Sequence, residues 1–326
     1  MLRSMYSGIS GLKNFQTKLD VIGNNIANVN TYGFKKSRVT FSDMISQTVA
    51  GASAPTQLKG GTNAMQVGLG SSISTIDTIQ TQGNLQYTGR LLDLAISGDG
   101  YFVVANGSPE NAELDEGEQK LIGSEMSYTR AGNFYLDSEG YLVTADGLYV
   151  VGINATYEDG TYTYPENDEI YDEDGKFTED YPNTIKIPTS AKDMSIGADG
   201  TVTYIAGEYA EEDGTPIEDG DEDSPIKPGD LVVAGRLVLT KFANSAGLQK
   251  SGNNLFQPTT NSGNPVYAFS GESGTGTVAA STLEMSNVDL SEEFTEMIVA
   301  QRAFQANTRI ITTSDEILQE LVNLKR

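Results

Sequence analysis

The sequence predicts an α+β protein in which paired terminal helices form a coiled-coil domain and the chain between them builds an antiparallel all-β body with acidic insertions. Three observations predict it. Apolar stripes of helical period occupy both ends, short β-branched and aromatic runs bounded by Gly and Asp fill the middle, and acidic residues concentrate between positions 106 and 230.

At the N-terminus Leu2, Met5, Ile9, Leu12, Phe15, Leu19, Ile22, Ile26 and Val29 recur at steps of three and four, placing one apolar stripe on a helix. Asn28 to Gly33 supply the residues that stop it. At the C-terminus Leu290, Phe294, Met297, Phe304, Ile311, Leu318 and Val322 follow a seven-residue frame, widened by Ile298, Ile310, Ile317, Leu321 and Leu324. Asp289 with Glu292 forms an N-terminal capping pair, and Lys325 and Arg326 suit the negative pole of the helix dipole. Helices over 2–29 and 290–324 would be roughly 42 Å and 52 Å long at 1.5 Å per residue. Each stripe needs a partner, which is either another helix or the β body of its own chain.

Residues 1–30 with 287–326 therefore read as a terminal helical domain. Residues 31–72 with 271–286 read as an extended linker region, because 46–72 is rich in Gly, Ser, Thr and Ala and Gly271 to Gly276 is a flexible run. Residues 73–153 with 184–270 read as the β-domain. Leu94 to Ile96, Tyr101 to Val104, Phe134 to Leu136 and Tyr141 to Val143 are strand-like, separated by Gly98-Asp99-Gly100, by Asp137 to Gly140 and followed by Asp146-Gly147. Strand-like runs return at Thr184 to Ile187, Met194 to Ile196, Thr201 to Tyr204 and Leu231 to Phe242. The acidic stretches 154–183 and 206–230 read as insertions or a small outer lobe.

The chain has 326 residues and no Cys, His or Trp, which excludes a structural zinc site, a thiol nucleophile, an imidazole base and a disulfide framework. Its net charge of −24 is local: residues 106–230 hold 31 of the 45 acids and 6 of the 21 basic residues. That distribution argues against nucleic acid and against anionic lipid, since neutralising phosphates needs clustered Lys and Arg. No apolar run approaches the roughly 18 residues of a membrane span, and the N-terminus has no signal-peptide core or cleavage site. The chain is expected to be soluble, with no membrane insertion, and to leave the cell, if it does, without a cleaved signal.

Acid-rich turns invite a calcium reading, but in the EF-hand frame around Asp172, Asp174 and Gly175 the first ligand position is Ile170 and the twelfth Tyr181, so the motif fails. Gly68-Leu69-Gly70 and Gly98-Asp99-Gly100 lack the context of a phosphate loop and read as turns. No cofactor and no metal is expected. The acids nominate no catalytic pair, so an enzyme is not expected, although a secreted carbohydrate-binding or hydrolytic β-domain protein stays as an alternative from another class.

The stretch Leu19 to Lys35, LDVIGNNIANVNTYGFK, resembles the N-terminal signature of the bacterial flagellar axial proteins of rod, hook, hook cap and junction, with Asn24, Asn25, Ala27, Asn28, Thr31, Gly33 and Phe34 carrying the motif. Ser97 to Phe102 and Tyr128 to Phe134 resemble β-domain motifs of hook and distal rod proteins, and Met285 to Leu290 with Met297 to Asn307 resembles their C-terminal helix. Within that set the wording is most similar to hook proteins of the short Gram-positive form, with the distal rod protein as the alternative. The resemblance implies a curved, flexible homopolymeric tube around an export channel, coupling motor to filament, with the helices as an inner coiled-coil layer and the β body outside. It also implies rod, hook cap and hook-filament junction proteins as partners, and an extracellular place reached through the flagellar type III export apparatus. Leu12, Phe15, Leu19, Ile22, Ile26, Val29, Phe294, Met297, Phe304, Ile311, Leu318 and Leu321 are the expected assembly interface. Phe41 and Ile45 fit a Phe-x-x-x-apolar export signal, a short pattern that a packing contact would explain as well.

Overall fold

The computed structural model describes residues 2–55, 59–111, 119–158, 161–164, 183–208 and 226–324. The EF-hand spacing, the Lys325-Arg326 pair and most of both acidic stretches lie outside the described residues. The chain forms two compact units: residues 1–29, 35–79 and 288–326 make a helical unit, and residues 30–34 and 80–287 a β-unit.

In the helical unit, α1 spans Leu2–Ala27 and α2 spans Leu290–Leu324. The helices run antiparallel. A Cβ on Gly8 would lie 3.3 Å from Ile311 Cγ1, and one on Gly11 2.9 Å from Asn307 Nδ2. Further along, Lys18 Nζ lies 3.0 Å from Glu296 Oε2, and Asn25 Nδ2 donates to Glu293 Oε2 at 3.1 Å. From Gly8 to Asn25 α1 advances 17 residues while α2 retreats 18, from Ile311 to Glu293. The pair thus stays in register for about 25 Å. Each helical Gly costs about 1 kcal/mol of helix propensity relative to Ala, and at positions 8 and 11 that cost allows close approach of the partner helix.

α1 ends two residues short of the expected boundary. Val29 falls in a turn, because Asn28 donates its side-chain amide back to Asn24 O at 2.9 Å and Asn24 Oδ1 at 3.0 Å and closes the last turn. At the start of α2, Asp289 Oδ1 accepts from the backbone of Ser291 at 2.8 Å and Glu292 at 3.4 Å, satisfying two otherwise orphaned donors.

The linker expectation is corrected by strand pairing. Strands β1 (Ser37–Asp43) and β4 (Ser71–Thr78) form one antiparallel ladder, and β2 (Ser46–Ala50) and β3 (Met65–Gly68) another. Residues 73–78, expected in the β-domain, therefore belong with the helices. These strands give little period-2 signal because β2 and β3 are exposed along nearly their whole length. Hydroxyl pairs across the β1–β4 ladder stand in for apolar alternation: Thr40 and Thr75 at 2.6 Å, Ser42 and Ser72 at 2.9 Å. Residues 271–286 also differ from a linker. Thr277–Ala280 pairs with Leu94–Ser97, and Thr282–Glu284 with Leu85–Tyr87, inside the β-unit.

The β-unit is built on one large antiparallel sheet. At its centre Tyr101–Asn111 pairs with Gln119–Thr129 on one side and Leu231–Lys241 on the other. The continuous apolar run Tyr101 to Ala105 is explained by burial on both faces. Phe102 and Val104 enter one core with Leu94, Phe134, Leu237 and Leu239, while Tyr101, Val103 and Ala105 enter a second with Tyr128, Val238, Phe242 and Phe256. Phe102 meets Phe134 edge-on at 5.2 Å. Within the turns, Asp137 Oδ1 accepts from the backbone of Glu139 and Tyr141, so the Asp-Ser-Glu-Gly turn is held by its own side chain.

Candidate assembly surface

In the helical unit only Ile22 of the expected interface is fully buried, at 3% exposure. Leu12, Phe15, Leu19, Ile26, Val29, Met297, Phe304, Ile311 and Leu318 are half-buried, while Phe294 and Leu321 are exposed. Each stripe is thus only partly covered inside its own unit. Extending the Gly8-to-Ile311 register sets Leu2 beside residues 316–317, so the last turns of α2 run past the start of α1. There Leu321, Val322 and Leu324 are 47%, 66% and 82% exposed. The first turns of α2 show Leu290, Phe294 and Ile298, strands β2 and β3 add Val49 and Met65, and the link between β1 and β2 adds Ile45. Among the described residues, most exposed large apolar side chains belong to this unit.

The motif residues divide between the two units. Asn25, almost fully buried, joins three elements of the helical unit: Oδ1 accepts from Ser37 N at 3.0 Å, and Nδ2 donates to Ser37 O at 2.8 Å and to Glu293 Oε2 at 3.1 Å. Lys36 Nζ completes the group, 2.8 Å from Glu292 Oε2 and 3.8 Å from Glu293 Oε1. Its hydrogen bond to Glu292 raises the ammonium pKa above the usual lysine value, against the opposing effect of partial burial. Asn24 and Asn28 bond to each other across the end of α1, and Ala27 is exposed beside them.

Thr31, Gly33 and Phe34 lie in the β-unit. Gly33 sits at φ +69°, and a Cβ there would lie 2.7 Å from the backbone of Arg130 and Ala131. Its N–H donates to Glu284 O at 2.8 Å. Thr31 O accepts from Phe34 N at 3.3 Å, and Lys250 Nζ lies 4.8 Å from the centre of the Phe34 ring. Phe41, of the expected export signal, packs its ring 5.6 Å from that of Phe15 and is 38% exposed, whereas Ile45 is 85% exposed.

One group was not singled out from sequence. Arg130 and Glu284 form an ion pair at 3.2 Å with side chains 4% and 0% exposed. Arg130 Nη2 also donates to Gly98 O at 2.7 Å, and its guanidinium lies 5.4 Å from the centre of the Tyr101 ring. Burial pushes the Tyr101 hydroxyl pKa up to about 12, with nearby Arg130 acting in the opposite sense. The signal was present in the Tyr-Thr-Arg-Ala-Gly-Asn-Phe motif, but its acidic partner lies 154 residues away. Among the described residues no group of three or more acidic side chains is placed to hold a metal ion, and no helix is long and apolar enough to cross a membrane.

Three family models match the chain. Residues 5–35 match "Flagella basal body rod protein", residues 95–204 "Flagellar hook protein FlgE/F/G D1 domain", and residues 279–324 "Flagellar basal body rod FlgEFG protein C-terminal". Helical ends and β-unit alike place the chain among structural proteins of the bacterial flagellum. It belongs to the flagellar rod and hook protein family. Among curated relatives it is 52% identical to the flagellar basal-body rod protein FlgG of Bacillus subtilis over 327 residues, covering 100% of both chains. It is 35% identical to FlgG of Agrobacterium fabrum over 97% of each chain, and 33% identical to the flagellar hook protein FlgE of Borreliella burgdorferi over 457 aligned residues and 100% of each chain. These similarities correct the preference for a hook protein: rod proteins are at least as similar to this chain.

Proposed function

We propose that this chain is a non-enzymatic structural subunit of the distal flagellar rod, polymerising into a straight tube. The observation that carries the reading is the full-length similarity to the Bacillus subtilis rod protein at 52% identity, in an alignment of 327 residues for a chain of 326. Alignment with the Borreliella hook protein stretches to 457 positions at 33% identity, so the hook relative has much sequence that this chain lacks. The hook subunit is the second reading, favoured by the wording of residues 8–41.

Assembly in this proposal runs through the helical unit. Helices α1 and α2 pair as a coiled coil in an inner layer, and copies of the chain cover Phe294, Leu321 and the overhanging end of α2. The exposure of these apolar side chains supports that role. Partners are other copies of the chain, neighbouring axial proteins of rod and hook, and the type III export apparatus, which would read Phe41 and Ile45 in the unfolded chain and deliver it outside the cell without a cleaved signal.

Electron microscopy of the concentrated full-length protein tests this. Straight tubes are the expected result, and curved tubes would transfer the chain to the hook. A full-length protein that stays monomeric at every concentration, even when seeded with isolated flagellar basal bodies, would defeat the assembly reading.

A further inference from the structure

The covalent chain leaves the β-unit for the helical unit through three segments: residues 30–34, the stretch beginning at Gln80, and the stretch ending at Asn287. Inside the β-unit all three converge on one buried residue, Glu284, which is 1% exposed. Its backbone oxygen accepts the Gly33 N–H at 2.8 Å, from the first segment. Its Oε1 accepts the Gly83 N–H at 2.9 Å, from the second. The third segment begins at Glu284 itself and is stitched to the second, since Met285 N donates to Asn84 O at 2.9 Å and Asn287 Nδ2 to Thr81 Oγ1 at 3.0 Å.

The second carboxylate oxygen, Oε2, is held by Arg130 at 3.2 Å, and Arg130 is anchored on Gly98 O and Ile96 O at the edge of the core. Space is as restricted as hydrogen bonding. A Cβ on Gly83 would sit 1.9 Å from Met285 O, and one on Gly33 would meet Arg130 and Ala131. Asn254 adds a tie to the first segment by donating to Tyr32 O at 3.3 Å.

From this we infer that Glu284, fixed by Arg130, is a clasp that yokes the three connecting segments so that they open and close as one. Glu284 holds one segment through its carboxylate and another through its backbone oxygen and is itself the start of the third, so none can be released without leaving polar groups unpaired, which costs more than the individual bonds contribute. The consequence for a tube subunit is mechanical: force arriving through any one segment is shared by all three. Arg130 and Glu284 act here as positioning residues. The inference does not depend on whether the chain builds rod or hook.

Native-state hydrogen exchange on the full-length chain tests it by following the Gly33, Gly83 and Met285 amides against core amides such as Val104. In the native protein the three should exchange with one common opening free energy and one denaturant dependence, below that of the core. Glu284→Gln keeps an acceptor for Gly83 but removes the charge held by Arg130. It should speed exchange at all three together, on the order of 10- to 100-fold, from losing a charged hydrogen bond. Exchange at three unrelated rates in the native protein would overturn the clasp. So would a variant that loosens Gly83 alone, or a native protein in which the three amides open only together with Val104.

Discussion

Arg130 and Glu284 show how a single pair can matter more by its absence than by its presence. Replacing two buried charges together costs little, but removing one leaves the other uncompensated in the interior. Arg130→Met should therefore destabilise the β-unit by about 3–5 kcal/mol, measured by urea unfolding. The double replacement Arg130→Met with Glu284→Gln, which removes both charges and keeps an acceptor for Gly83, should recover most of that loss. Tyr101 makes a second prediction at the same scale. Its hydroxyl is neutral in the fold up to about pH 12, whereas an unfolded tyrosine ionises near pH 10. The folded state therefore keeps its full advantage below pH 10 and loses it as pH rises from 10 towards 12, by up to about 3 kcal/mol. In Tyr101→Phe the alkaline fall in stability across that interval should be shallower, as followed by circular dichroism.

Among the elements, α1, β1 and α2 are joined at Asn25, whose amide matches the backbone donor and acceptor of Ser37 and still reaches Glu293. An alanine there removes all three bonds, one of them to a buried carboxylate, so Asn25→Ala should cost about 2–4 kcal/mol. Asn25→Asp should be worse near neutral pH, because a second carboxylate would face Glu293, and should recover on acidification while Asn25→Ala does not. Thermal melts of the two variants at neutral and acid pH separate these outcomes. At the start of α2 the cap is worth less: Asp289→Ala should lower stability by about 1 kcal/mol.

For the whole molecule, the contrast lies between a β-unit with two closed cores and a helical unit with apolar surface left open. A chain lacking residues 1–34 and 286–326 should remain monomeric in analytical ultracentrifugation where the full chain polymerises. The acidic stretches bear on a different property. Their like charges would oppose assembly if crowded in an inner wall within a Debye length of one another, about 8 Å at physiological salt, so the assembly proposal requires them to face outward. Deleting 165–182 and 209–225, which spares the buried flanks Asn183 and Ile226, should give tubes that bundle in electron micrographs. Loss of tubes would count against the outward position.

Periodicity, capping and turn chemistry are local properties, and for that reason the terminal helices, the Asp289 cap, the start of the Tyr101 strand and the Gly-bounded turns were legible from residues alone. Family membership was legible too, because the motif around Asn24 to Phe34 is long and specific. The ladders of β1 to β4 were not, since hydroxyl pairs across β1 and β4 and nearly full exposure of β2 and β3 leave no apolar rhythm to detect. Nor was the meeting of Gly33, Gly83, Arg130 and Glu284. Gly83 and Glu284 lie 201 residues apart, and nothing in either neighbourhood specifies the other. Local order follows from what each residue permits its own backbone, whereas the partner of a buried charge is chosen only when the chain has folded and water is no longer there to compete.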